Sequence, residues 1–249
     1  MPALYPRFSR LNAGDIEPMP QVTGIRAARA RTRVDTEFSA KTSRNPAVSA
    51  ANFFPSRLSL KSLRDAASVC RGCDLYKYAT QTVFGEGPAR ARLMLVGEEP
   101  GDNEDLEGHP FVGPAGKLLH RALEAAGIAP RDAYVTNAVK HFKFVERGKR
   151  RIHQKPKIVE VRACKPWLEG EIALVKPRLI VVLGATAAQS LLGPAFRLIA
   201  NRGRILPGPP RILATVHPSA ILRAPDGEDR RAKMSDLVND LRKAILDVS

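Results

Sequence analysis

Four short apolar runs, each leading into a helical pattern, constrain the fold of this chain more than any other feature. Residues 178–184 (RLIVVLG) are the clearest, since Ile180, Val181, Val182 and Leu183 are continuously apolar and read as a strand buried on both faces. Residues 92–97 (RLMLVG), 132–137 (DAYVTN) and 211–216 (RILATV) read as three more strands. Helical patterns occupy 114–126 (closed by Gly127), 157–175 (interrupted by Pro166, which is expected to kink or restart it), 185–192 and 229–246. Such alternation predicts a three-layer α/β/α sandwich around a mostly parallel four-stranded sheet. In that architecture the working residues lie beyond the carboxyl ends of the strands. The rule selects residues 97–102, 137–141, 184–186 and 217–223.

Ahead of the first strand the sequence reads differently. Up to Lys61 there are ten basic and four acidic residues, and the apolar positions follow no sustained period. Residues 1–55 are expected to be a basic, mostly disordered extension, and residues 59–249 the folded domain. Over 249 residues, 40 Lys and Arg against 25 Asp and Glu give a formal charge of +15, which points to a polyanionic partner, nucleic acid first. No run approaches the ~18 apolar residues of a membrane span, and the three cysteines do not make a disulfide framework. A monomeric cytoplasmic protein without a membrane partner is the expectation.

The strand exits carry the chemistry. Gly97-Glu98-Glu99-Pro100-Gly101-Asp102 follows the first strand, and Gly108–Gly116 (GHPFVGPAG) adds a Gly/Pro-shaped wall with Phe111 in it. These residues are neither a dinucleotide fingerprint nor a P-loop. Glu98 is the first side chain after a buried strand, whereas Glu99, Glu104 and Asp105 read as well as an acidic surface turn. His217-Pro218-Ser219 closes the last strand, with Arg223 one turn on, and a histidine there can donate to a developing anion. Residues 140–157 hold eight Lys or Arg against one Glu, with Lys149, Arg150 and Arg151 beside His153, a composition suited to phosphate contact or to a solvated insertion. Cys70-x2-Cys73 is a metal-ligand hook. With Cys164 and His141 it could hold zinc or one cubane cluster, and spacing does not choose between metal and inert cysteines.

Together these motifs resemble the uracil-DNA glycosylase superfamily over about residues 63–248. The resemblance is to the iron–sulfur branch with the family 4 enzymes, and within it to the covalent-trapping X type. Gly97–Gly101 with Gly108–Gly113 is similar to the first family motif, Val135-Thr136-Asn137-Ala138-Val139-Lys140 to the second, and His217-Pro218-Ser219 to the third. The stretch from Lys149 to Pro156 resembles the insertion that marks the X type, which also has histidine where His141 stands. One position departs. The X type reads Gly-Glu-Gln-Pro-Gly, and here Glu99 replaces the glutamine, an exchange that, with the glutamate ionised, removes a donor and adds a negative charge.

The resemblance implies that uracil is flipped out of single- or double-stranded DNA into a pocket. Phe111 would stack on the base, Asn137 would bond its Watson–Crick edge, and Gly97, Glu99, Gly101, Asp102 and Ser219 would shape the site. His217 would stabilise uracil O2, and His153, assisted by Glu98, would capture the sugar covalently. Lys149, Arg150, Arg151 and Arg223 would bind DNA phosphates. Cys70, Cys73, His141 and Cys164 would hold a four-iron, four-sulfur cluster, with zinc as the alternative. Three other readings compete: a multiple-turnover hydrolytic glycosylase of the family 4 kind, a basic nucleic-acid binder without activity, and a zinc-stabilised domain of unrelated function.

Overall fold

The computed structural model describes residues 50–249. The expected basic extension, 1–55, lies for the most part outside the described residues. In chain order the elements are α1 (Leu60–Ala67), β1 (Leu93–Gly97), α2 (Asp102–Glu107), α3 (Pro114–Ala125), β2 (Ala133–Asn137), β3 (Phe144–Arg147), β4 (Arg150–His153) and α4 (Ile158–Val175). There follow β5 (Leu179–Leu183), α5 (Ala185–Leu192), α6 (Leu198–Asn201), β6 (Ile205–Leu206), β7 (Arg211–Thr215), α7 (Pro218–Leu222) and α8 (Gly227–Val248).

The main sheet has the order β2-β1-β5-β7-β6. Its first four strands are the expected parallel ones, paired Leu93↔Ala133, Leu93↔Leu179 and Leu179↔Arg211 at their starts. The sheet has five strands rather than four, because β6 adds an antiparallel edge of two residues. Two residues are too few to leave an alternation in the sequence. A separate antiparallel hairpin, β3–β4, stands where a flexible basic insertion was one reading. Helix α4 runs as one element from Ile158 to Val175 with Pro166 inside it, rather than restarting there.

Strand alternation places the cores. Leu93, Leu95, Val181 and Leu213 face one way, onto Leu119 of α3, Ile221 of α7 and Leu237 and Leu241 of α8. Met94, Val96, Ile180 and Val182 face the other, onto Leu168 and Val175 of α4 and Ala187 and Ala188 of α5. Three layers result. A third core joins α1 to α4 through Leu63, Ala67, Val161 and Trp167, and Phe54 stacks on Trp167 at 4.7 Å, so packing begins ahead of Ser59. Among the described residues no helix is long and apolar enough to cross a membrane.

Candidate active site

The carboxyl ends of β1 and β2 lie side by side, with Gly97 paired to Asn137. A Cβ added at Gly97 would sit 2.3 Å from Asn137 Oδ1 and 2.7 Å from Phe111 Cζ, so only glycine leaves room for both. Asn137 and Phe111 are themselves buried. Phe111 has φ 58°, a left-handed backbone that costs a bulky residue on the order of 1–3 kcal/mol. Gly116 of α3 permits it, since a Cβ there would meet the Phe111 carbonyl oxygen at 1.8 Å. The intervening loop is tied by the Glu104 carboxylate, which accepts the Gly101 N–H at 3.0 Å and the Gly113 N–H at 2.7 Å. An amide and an aromatic ring thus converge on one strand exit and are held there by backbone geometry.

His217 follows β7 with its ring centroid 6.4 Å from that of Phe111. The Ser219 backbone N–H donates to His217 Nδ1 at 3.1 Å, and Ser219 Oγ lies 2.7 Å from the same nitrogen. A backbone N–H can only donate, so Nδ1 accepts and the proton of the neutral ring sits on Nε2. Burial lowers the His217 pKa to about 4, with Arg223 and His153 adding to the effect. The ring is therefore a neutral Nε2–H donor at pH 7.

The hairpin brings His153 to the same place. Its Nε2 is 3.1 Å from Glu99 Oε1 and 3.7 Å from Glu98 Oε1. Both motif-one carboxyls therefore meet the imidazole, and Glu99 is nearer than the partner expected from sequence. Burial lowers the His153 pKa, opposed by Glu98 and reinforced by Arg223. Burial also pushes Glu99 up to about 10, with the Glu98 charge adding. Glu99 is thus a neutral carboxylic acid at pH 7. The expectation of an added negative charge is corrected, because the protonated group can donate a hydrogen bond as glutamine would. Nor is this an acidic surface turn: Glu99, Glu104 and Asp105 are all buried.

Of the expected DNA-contacting cations, Lys149 and Arg150 at the hairpin tip and Arg223 after α7 are exposed. Arg151 is engaged otherwise. It pairs with Asp102 at 2.5 Å and Asp105 at 2.6 Å, and its guanidinium lies over the Phe142 and Phe144 rings at 5.4 and 5.0 Å. Asp105 is held in turn by the Thr80 N–H at 3.0 Å. Arg151 and Asp102 accordingly clamp the hairpin to α2, so that His153, two residues along β4, is anchored although its own side chain is 47% exposed.

The expected cluster is not supported. Cys70, Cys73, His141 and Cys164 border one small enclosed space, but among the described residues no group of three or more His, Cys, Asp or Glu is arranged to hold a metal ion. Three of their donor atoms are turned to protein partners. Cys70 Sγ accepts from Trp167 Nε1 at 3.2 Å, Cys164 Sγ accepts the Lys140 N–H at 3.2 Å, and His141 Nε2 lies 2.9 Å from Thr82 Oγ1. Burial raises the Cys164 thiol to about 12. The four-iron, four-sulfur cluster and its zinc alternative are therefore not borne out, and Cys70, Cys73 and Cys164 pack in the core between α1 and α4.

A buried network behind Asn137 escaped sequence reasoning. Lys140 Nζ donates to Glu171 Oε2 at 2.5 Å, to Thr136 Oγ1 at 2.6 Å and to the Asn137 carbonyl at 2.7 Å. Glu171 also accepts from the Gly85 N–H and the Tyr134 hydroxyl, both at 3.0 Å. The signal was available: Glu171 stands on the apolar face of α4 between Leu168 and Val175, where a charge requires a partner.

Comparison with known proteins bears on this geometry. The sequence pattern described as the Uracil DNA glycosylase superfamily matches residues 84–242. A Type-4 uracil-DNA glycosylase of Pyrobaculum aerophilum is 36% identical over 68% of this chain and 87% of its own length. One from Sulfurisphaera tokodaii is 35% identical over 68% and 78%, and one from Thermotoga maritima 36% over 68% and 85%. The matched span holds every strand exit described above.

Proposed function

Because the chain belongs to the uracil-DNA glycosylase superfamily, as a family 4 member, we propose that it excises uracil from DNA and releases the base hydrolytically, with multiple turnovers. The observation that carries this reading is the meeting of the Asn137 amide and the Phe111 ring over Gly97. A flipped uracil would stack on Phe111 and pair its Watson–Crick edge with Asn137, whose amide separates an acceptor at position 4 from the donor of cytosine. As the bond from N1 to the sugar C1′ breaks, charge builds on uracil O2. His217 Nε2–H would meet it, and a donor already in place there lowers the barrier by about 2.7–4 kcal/mol. Water adds to C1′ from the side of Glu98, which receives the proton. The exposed Lys149, Arg150 and Arg223 would hold the phosphate backbone.

A second reading rests on the hairpin. His153 Nε2 lies beside Glu98 and Glu99, where it could replace water and bond to C1′, leaving a protein–DNA adduct. The similarity to Type-4 enzymes favours hydrolysis, and the histidine position favours capture. Incubation of an excess of uracil-containing DNA, single-stranded and double-stranded in parallel, with the protein, followed by a denaturing gel, separates them. Alkali-labile abasic DNA in molar excess over protein is the expected result. A band of protein joined to DNA, stopping at one equivalent and lost in His153→Ala, would establish capture instead. Intact DNA in both strand forms would refute either reading.

A further inference from the structure

We propose that Glu99 is a positioning residue that fixes the His153 imidazole over the pocket through a hydrogen bond between its carboxyl group and Nε2. The proposal rests on the reading of this pocket as a hydrolytic active site, because an Nε2 that accepts from the Glu99 carboxyl has no lone pair left to bond C1′. Three observations carry it. The Glu99 side chain has no exposed surface, and among the described residues neither of its oxygens has a well-aligned hydrogen-bond partner, the Lys143 backbone N–H being the nearest donor of the main chain. A buried carboxyl that is poorly paired is destabilising by about 1–3 kcal/mol, so its retention calls for a reason outside stability. Its oxygen Oε1 is 3.1 Å from His153 Nε2, within hydrogen-bond distance although the present geometry does not close the bond. Such contacts commonly tighten when substrate arrives. Finally, the clamp formed by Arg151 with Asp102 and Asp105 delivers the backbone of β4 but leaves the ring itself half exposed. Something else must orient it.

The charges around the pair favour a neutral contact. Glu99 is faced by Glu98 on its own loop, His153 on β4, Lys143 before β3 and Glu160 in α4; His153 is faced by Glu98 and Glu99, by Arg223 beyond α7, and by His217. Ionising Glu99 would set a second negative charge beside Glu98, and protonating His153 would set a cation beside Arg223. With Glu99 protonated, its O–H can donate to an unprotonated Nε2, leaving the ring proton on Nδ1. The contact then depends on pH in one direction. It is intact while Glu99 holds its proton and is lost as pH rises toward about 10.

Glu99→Gln and Glu99→Leu test this in the full-length chain. NMR of the His153 ring, assigned by its loss in His153→Asn, reads the contact without any DNA. Wild type should show one ordered Nδ1–H tautomer and an alkaline transition. Glu99→Gln, whose amide can donate in the same place, should keep the ordered ring and lose the transition. Glu99→Leu should show a disordered ring with mixed tautomers. The stability reading has a definite sign, since a carboxyl whose pKa is raised on folding costs stability as pH climbs above its unfolded value. Both variants should therefore melt no lower than wild type at pH 5 and progressively higher than it by pH 9, which also shows that they fold. Identical His153 spectra in all three proteins across the pH range would overturn the proposal. If the spectra behave as expected but none of the proteins acts on uracil DNA, the positioning role stands and the assigned reaction fails.

Discussion

The strand-exit half of the site and the hairpin half are built by different means. Asn137, Gly97 and His217 are continuous with the parallel strands, and Asn137 is backed by the buried Lys140–Glu171 pair. Their positions are set by the same forces that set the core. His153 sits on a two-stranded hairpin outside the sheet, held by the Arg151 ion pairs and two stacked phenyl rings. The comparison teaches where change is tolerated. On the proposed reading, recognition of the base would be fixed with the fold, whereas the group set over the sugar could be altered by adjusting a surface element and its clamp.

The largest expected effect lies behind the first half. Lys140→Met leaves Glu171 as an uncompensated buried charge and should lower unfolding free energy by about 3–5 kcal/mol, measured by urea titration, with Lys140→Met/Glu171→Leu recovering much of it. A variant as stable as wild type would mean that the sheet exit does not depend on the pair. Next come the residues proposed to face the base. His217→Ala should reduce uracil release by about 10²–10³-fold, the usual loss for one donor to a developing anion, while leaving DNA affinity nearly unchanged. Asn137→Asp should lose selectivity as well as rate, because the amide donor toward uracil O4 is gone; assays on uracil and cytosine oligonucleotides would reveal it.

The hairpin should respond more gently. Arg151→Ala frees β3–β4 from α2 and should reduce whichever step His153 serves roughly tenfold, matching one charge-assisted hydrogen bond, with faster amide exchange confined to residues 144–153. Faster exchange spreading into β1 and β2 would show that the two halves are not independent. Smallest is Lys149→Ala at the exposed tip. It should weaken binding equally for all DNA sequences and lower the salt slope by about 1.

The sequence discloses the first half better than the second, for a physical reason. Continuous apolar runs mark strands buried on both faces, and topology then puts their next residues together, so Gly97, Asn137 and His217 are legible as neighbours. The edge strand β6 is too short to carry a period, and the unbroken helix through Pro166 reflects tertiary packing that local propensity does not encode. Arg151 reads as a phosphate contact because composition shows its charge and not its partners, Asp102 and Asp105. Glu99 reads as ionised because burial is a property of the fold. The cysteines read as ligands because spacing cannot show that their sulfur atoms turn to Trp167 and the Lys140 backbone.

The central claim is that an amide and a phenyl ring at the β1–β2 exit read uracil in DNA for excision. Chromatographic measurement of free uracil released from a single-uracil oligonucleotide, by the unmodified protein and by Asn137→Asp, tests it most directly. The account predicts release exceeding one equivalent from the unmodified protein, none from the matched cytosine or thymine strand, and a loss of about 10²-fold in the variant. No uracil from the unmodified protein, or equal release by the variant, would contradict it.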